Sequence, residues 1–269
     1  MKNPSKKVQP DIHYPFLIHC FDIALDRVKI LGIKRTFVYL VVCKIPQTEA
    51  NFLRGASQIH RTVIKNFIKT MTNSKLIKSI KHIISQNIGL GSESQMLAFF
   101  GFTSKSESHY RDVIAYKLYK EYKDEFLITR EWNKCDIAIL DKETGKAVLL
   151  LELKVCYNVD LIKSSTLKEY IDSIKKDFEK SKKISEPKTE IYSIMFIVKP
   201  EQIIPEELKK IVKYSDAINA GLKKLDYKDL DKIGEANLRN EFKKIEFHHI
   251  RKDIAFDLTC GLGYCLIEE

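Results

Sequence analysis

Between Ala147 and Val155 the chain reads AVLLLELKV, an apolar run interrupted only by Glu152 and Lys154. A short, continuous apolar segment followed by polar residues reads as a strand buried on both faces. A charged side chain inside it is costly unless it has a partner or a task. Side chains alternate along a strand, so Glu152 and Lys154 face one way with Leu150, while Leu149, Leu151 and Leu153 face the other. The Glu-x-Lys spacing recurs at Glu121, Glu186, Glu207 and Glu241, but in polar helices or loops. Context singles out Glu152.

The neighbouring segments give this strand a setting. Cys135 to Leu140 reads as a second strand, joined to the first by a turn from Asp141 to Lys146 that contains Gly145. Folding the hairpin about Thr144 sets Leu140 opposite Val148 and Asp136 opposite Glu152. Opposed carboxylates with Cβ atoms roughly 5 Å apart repel each other. A divalent cation between them removes the conflict, because magnesium prefers carboxylate oxygens and water. Upstream, Phe126 to Trp132 is a further strand. Ser104 with Glu107 three residues on has the capping-box pattern, opening a helix with Tyr110, Ile114 and Leu118 on one face. Downstream, Leu167, Tyr170, Ile171, Ile174 and Phe178 mark an amphipathic helix, and Ile191 to Val198 is an apolar strand stopped at Pro200. The order predicts a mixed α/β fold, a central mixed sheet flanked by helices. Residues 206–244 read as mostly helical, and Ala255 to Ile267 as a glycine-containing hairpin.

Charge divides the chain. Residues 1–104 carry 15 Lys and Arg against 5 Asp and Glu, whereas residues 105–269 carry 31 of each, so the net charge of +10 lies in the first part. A basic segment of this kind suits attraction to a phosphate backbone. Phe16 to Leu31 and Thr48 to Met71 read as helices, and Thr36 to Cys43 as a strand or buried helix. Of two Gly/Ser-rich stretches, Gly89 to Ser94 and Thr103 to Ser108, the second is the better boundary. The expected division is therefore a basic, mainly helical accessory or DNA-contacting region, 1–104, and a second domain, 105–269. In Lys75 to Ile88, the stripe Leu76, Ile77, Ile80, Ile83 and Ile84 leaves Lys75, Lys78, Lys81 and His82 toward solvent. That face suits DNA, and equally an ordinary solvated helix.

Other chemistries find little support. The apolar runs are too short to cross a bilayer, which with the lack of a signal core suggests a soluble, cytoplasmic protein with no membrane partner. The six cysteines lack paired zinc spacing, and those in apolar surroundings read as core. No phosphate-binding glycine motif suggests a nucleotide cofactor. His248 and His249 lack metal-site spacing and read as surface or helix-end residues, and Trp132 reads as a core side chain.

Taken together, Glu107 in SESHYRD, Asp136 in KCDIAIL, and Glu152 with Lys154 in LLLELKV give the chain's middle third a resemblance to the PD-(D/E)XK nuclease superfamily. It extends loosely through the helix bearing Asp177 and Lys180 and the strand YSIMFIV. Cys135 stands where the family often has proline. The resemblance implies a restriction-endonuclease-like fold and Mg2+-dependent endonuclease activity on double-stranded DNA, with Mn2+ as a substitute. It implies Asp136, Glu152 and the Leu153 carbonyl as metal ligands, with Glu107 helping, and Lys154 as electrostatic support for the attacking water. A stand-alone type II restriction enzyme working as a homodimer is the leading expectation. Arg111 joins the lysine face as a candidate DNA contact. Two alternatives are a repair or junction-resolving nuclease of the same fold and a non-catalytic DNA-binding protein. The residues also permit a purely structural ion network, with Asp136 and Glu152 paired to Lys154 and Arg111.

Overall fold

The structure, a computed structural model, describes residues 74–86, 96–104 and 106–269, all within a compact unit that runs from Lys65 to Glu269. The elements expected at Phe16 to Leu31, Thr36 to Cys43 and Thr48 to Met71, and the Gly89 to Ser94 stretch, lie outside the described residues. The described chain begins with a helix over residues 74–86 (α1), then Met96–Thr103 (α2) and Glu107–Tyr122 (α3). The strands Phe126–Trp132 (β1), Cys135–Asp141 (β2) and Ala147–Tyr157 (β3) follow, then a helical turn at Asn158–Leu161 and the helix Ser164–Ile184 (α4). Glu190–Pro200 (β4), Ser215–Leu222 (α5), Tyr227–Glu241 (α6), Ile245–Ala255 (β5) and Leu258–Glu268 (β6) complete the order. A short helical turn at Glu206–Leu208 precedes α5.

These strands form one six-stranded sheet in the order β1-β2-β3-β4-β6-β5. Only β3 and β4 run parallel, joined through α4, and every other neighbouring pair is antiparallel. The mixed α/β sheet expected from the sequence is thus present. The parallel pair is central and apolar for a physical reason: its crossover helix covers one face and other helices cover the opposite one. Leu149, Leu151, Leu153 and Val155 enter a core shared with Leu76, Ile80 and Ile84 of α1, Leu97 and Phe102 of α2, and Tyr110, Ile114 and Leu118 of α3. Leu150, Cys156, Met195 and Ile197 face the other way, against Ile171, Ile174 and Phe178 of α4 and Leu238 of α6. The described parts of the basic region therefore pack into the same core as the sheet.

Local differences from the sequence reading have local causes. The helix containing Glu107 has its N-cap at Ser106, and no side-chain cap hydrogen bond forms, so the capping box expected of Ser104 and Glu107 is absent. The Ser104 and Ser106 hydroxyls bond to each other instead. In the β2–β3 turn, Asp141 Oδ1 accepts from the Thr144 backbone N–H at 2.8 Å and Gly145 takes φ 67°, a left-handed value that favours glycine. The C-terminal hairpin is longer than expected, beginning at Ile245 and turning at Phe256 and Asp257, both with positive φ, as a type I′ turn requires. Its glycines lie within β6. A Cβ on Gly263 would sit 2.9 Å from the His248 carbonyl oxygen and 3.2 Å from Lys199 Cε, so that glycine serves a close approach and not the turn.

Candidate active site

Residues in register on neighbouring strands share a face, and this places the charged groups. Ile137 pairs with Leu151, Ala138 with Leu150 and Ile139 with Leu149. Continuing by one residue brings Asp136 opposite Glu152, as expected. An irregularity between Ile139 and Leu140 pairs Leu140 with Ala147 in place of the expected Val148. The slip falls on the turn side, so it does not disturb the site. Asp136 Oδ2 accepts a 2.8 Å hydrogen bond from the Leu153 backbone N–H, which anchors the carboxylate across the ladder.

Glu152 is 2% exposed, the most deeply buried carboxylate of the group. Its Oε1 takes a 2.8 Å ion pair from Lys180 Nζ and a 3.2 Å hydrogen bond from the Ser181 hydroxyl, both on α4. Lys154 Nζ pairs with Asp177 Oδ2 at 2.6 Å. Asp177 Oδ1 also lies 3.2 Å from Lys180 Nζ, so this one carboxylate bridges the two lysines. Lys180 additionally donates to the Lys134 carbonyl at 2.7 Å. That carbonyl is presented by the β1–β2 turn, where Asn133 and Lys134 both have positive φ.

The electrostatics bear the mark of crowded carboxylates. Burial pushes the Glu152 carboxyl up to about 7, with Asp177 and Asp136 adding to the rise and Lys180 opposing it. Glu107 is also raised by burial, opposed by Lys154 and aided by Asp136 and Asp177, which places the α3 glutamate within electrostatic reach of the cluster. Burial works against the Lys154 ammonium, yet Asp177, Glu107 and Asp136 outweigh it and raise its pKa. Glu152 and Asp177 thus contact the two ammonium groups, while Asp136, Glu107 and Arg111 act from further off. Cys135, beside Asp136, is fully buried with its thiol pushed up to about 12 by burial and then by Glu152 and Asp136.

The structural ion network envisaged from the sequence has different partners. Arg111 is engaged by Asp112 and Glu131, at 3.1 and 2.5 Å, and Glu152 and Lys154 bind α4 residues and not each other. Asp177 and Lys180 entered the sequence reading only as members of a helix. Charged residues at helical spacing ordinarily signal a solvated face, and the only pointer to their role was the need of a buried Glu152 for a cation.

Candidate DNA-contacting residues on α1 lie at the surface, as the apolar stripe requires. Lys75, Lys78 and His82 are exposed. Lys75 Nζ lies 5.2 Å from the centre of the Tyr122 ring, and Lys81 is paired with Glu246 on β5. His248, on a strand and not a helix end, stacks on Tyr264 with ring centres 4.7 Å apart, and His249 is exposed. Trp132 packs, partly buried, against the α4-side core. No helix among the described residues is long and apolar enough to cross a membrane.

Comparison with known proteins gave no match: no family model fits the chain, and no curated protein or solved structure is significantly similar to it.

Proposed function

We propose that this chain is a magnesium-dependent endonuclease that hydrolyses phosphodiester bonds in double-stranded DNA, with Asp136, Glu152, Lys154 and Glu107 forming its active site. The observation that carries the reading is the burial of Glu152 beside Lys154 on a central apolar strand, with Asp136 anchored opposite. A buried ion pair often contributes less to stability than an apolar substitute, which favours a functional use for these charges.

Oxygen donors of this kind fit a hard dication chemically. Among the described residues, no three Asp, Glu, His or Cys side chains are grouped so as to hold a metal ion as they stand. The Glu152 carboxylate is instead engaged by Lys180 and Ser181. Asp136 and Glu152, with the Leu153 carbonyl, would hold magnesium, and Glu107 would assist from α3. The ion would supply charge neutralisation at the scissile phosphate and an acidified water. Lys154, steadied by Asp177, places its ammonium beside the carboxylates, where it orients a nucleophilic water and offsets developing negative charge. The Asp136 bond to the Leu153 N–H holds that carboxylate fixed across the ladder.

Within this reading, the chain is a cytoplasmic type II restriction enzyme. It works as a homodimer, one site per strand, and Lys75, Lys78, Lys81, His82 and Arg111 contribute to the grip on phosphates. Repair or junction resolution is the same chemistry with a different trigger. A second reading, a binding protein without catalysis, draws support from the two α4 ion pairs, which satisfy Glu152 and Lys154 without a metal. Incubation with plasmid and branched DNA, with and without Mg2+, separates the three. Discrete fragments fit restriction, nicking at branches fits repair, and retention without cutting fits binding. Metal-dependent cleavage that survives Asp136→Asn would remove the proposed site.

A further inference from the structure

Lys180 does not belong to the strand motif, yet its ammonium occupies the most cation-like position in the cluster. Three oxygens converge on its Nζ: Glu152 Oε1 at 2.8 Å, Asp177 Oδ1 at 3.2 Å and the Lys134 carbonyl at 2.7 Å. Two carboxylates and a backbone carbonyl are the donor types that a hard cation takes. Its stem leaves α4 between the buried Phe178 and Ser181, so the ammonium is tethered and its range is short.

We propose that Lys180 is a built-in counter-ion that competes with a divalent cation for Glu152, setting how tightly the site takes its metal. This rests on the nuclease reading of the same carboxylates. Two features favour competition over a fixed brace. Lys180 is the more exposed partner, 31% against 2% for Glu152, so its ammonium can leave for water while the glutamate cannot. It also keeps two other oxygens when it lets Glu152 go: Asp177, one turn away on the same helix, and the Lys134 carbonyl. Release therefore costs one contact of three. Asp177 is then the hinge of the exchange, since it also holds Lys154 and so keeps the second ammonium in place while the first moves. The competing cation lowers apparent metal affinity by the fraction of molecules in which Glu152 is free.

The test is Mn2+ binding to the full-length chain, read from the loss of the free-ion electron paramagnetic resonance signal as MnCl2 is titrated. Lys180→Gln keeps a hydrogen-bond donor for Glu152 and loses the charge. It should bind Mn2+ roughly ten-fold more tightly than the wild type, as expected if about a tenth of wild-type molecules have Glu152 free. Lys180→Arg, which keeps the charge, should bind no more tightly than the wild type, and Asp136→Asn should lose the binding. In the wild type itself, acetylation of Lys180 by acetic anhydride, followed by mass spectrometry against the exposed Lys78, should accelerate when Mn2+ is added. A purely structural lysine would move neither readout in that direction. If Mn2+ binds but leaves Lys180 labelling unchanged, or if Lys180→Gln binds no more tightly, the counter-ion role is overturned while the metal site stands. If no form binds Mn2+ at millimolar concentration, both the counter-ion and the metal site fail together.

Discussion

Two ion clusters lie along the central parallel strands, and they differ in the depth of their carboxylates, Asp231 being 23% exposed and Glu152 2%. At the carboxyl end of β4, Lys199 Nζ meets Asp231 Oδ2 at 2.8 Å, and Asn158 Nδ2 donates to the other oxygen of Asp231 at 3.0 Å. One cation faces one anion, with a neutral amide beside them. Around Glu152, by contrast, Glu152 and Asp177 contact Lys180 and Lys154, Asp136 and Glu107 act on them from further off, and burial pushes the Glu152 carboxyl up to about 7. A balanced cluster answers a packing need, tying α6 to the sheet. A carboxylate as deeply buried as Glu152 costs stability unless its partners offset the lost hydration.

The sharpest separation should be in activity. Asp136→Asn, Glu152→Gln or Lys154→Ala should each reduce Mg2+-dependent plasmid cleavage by at least about 100-fold. Lys199→Met and Asp231→Asn should leave it within roughly three-fold of wild type, since they touch only stability. Equal losses from both clusters would erase the distinction drawn here.

Stability should divide them in the opposite sense. The Glu152 carboxyl rises from an ordinary 4.5 to about 7 in the folded chain, so the folded state holds a proton that the unfolded state releases in that window. Stability attributable to this group therefore falls as pH rises from about 4.5 to about 7, and the deficit is complete above it. Glu152→Gln should remove the deficit, raising unfolding free energy at pH 8 by on the order of 2 kcal/mol and changing it little at pH 4.5. Asp231→Asn should instead lower it by about 1–3 kcal/mol, because Lys199 loses its partner in a mostly buried place. Urea denaturation at the two pH values measures both. A destabilised Glu152→Gln protein at pH 8 would mean that the Lys180 pair outweighs the burial penalty.

Smaller effects test the frame that surrounds the clusters. Burial pushes the Cys260 and Cys265 thiols up to about 12, so both should resist iodoacetamide at pH 8 in the native protein and react once it is unfolded. Native labelling of either would show the β4–β6 side to be open. Smaller still, Lys81→Ala should cost less than about 1 kcal/mol in a denaturant midpoint experiment, since its partner Glu246 is more than half exposed.

The sequence made the middle of the fold legible because its signals there are strong and local. An apolar run with turn residues before it specifies β3, and the β1 and β2 segments differ from their expected bounds by at most a residue. The pairing of Asp136 toward Glu152 followed from folding a hairpin about Thr144, and the irregularity at Leu140 fell where it did no harm. The β5 strand was missed because IEFHHIRKDIA, at the sheet edge, carries polar residues on both faces and offers no clean alternation. The α4 half of the site was invisible for a deeper reason. Asp177, Lys180 and Ser181 meet β3 only through tertiary packing, and their helical spacing is that of any solvated face.

The most direct measurement is the anomalous difference density of crystals soaked in MnCl2. Coordination by Asp136 and Glu152 predicts a Mn2+ peak at about 2.1 Å from a carboxylate oxygen of each, with the Lys180 ammonium withdrawn from Glu152. A peak bound elsewhere, or none while Lys180 stays on Glu152, would contradict the account.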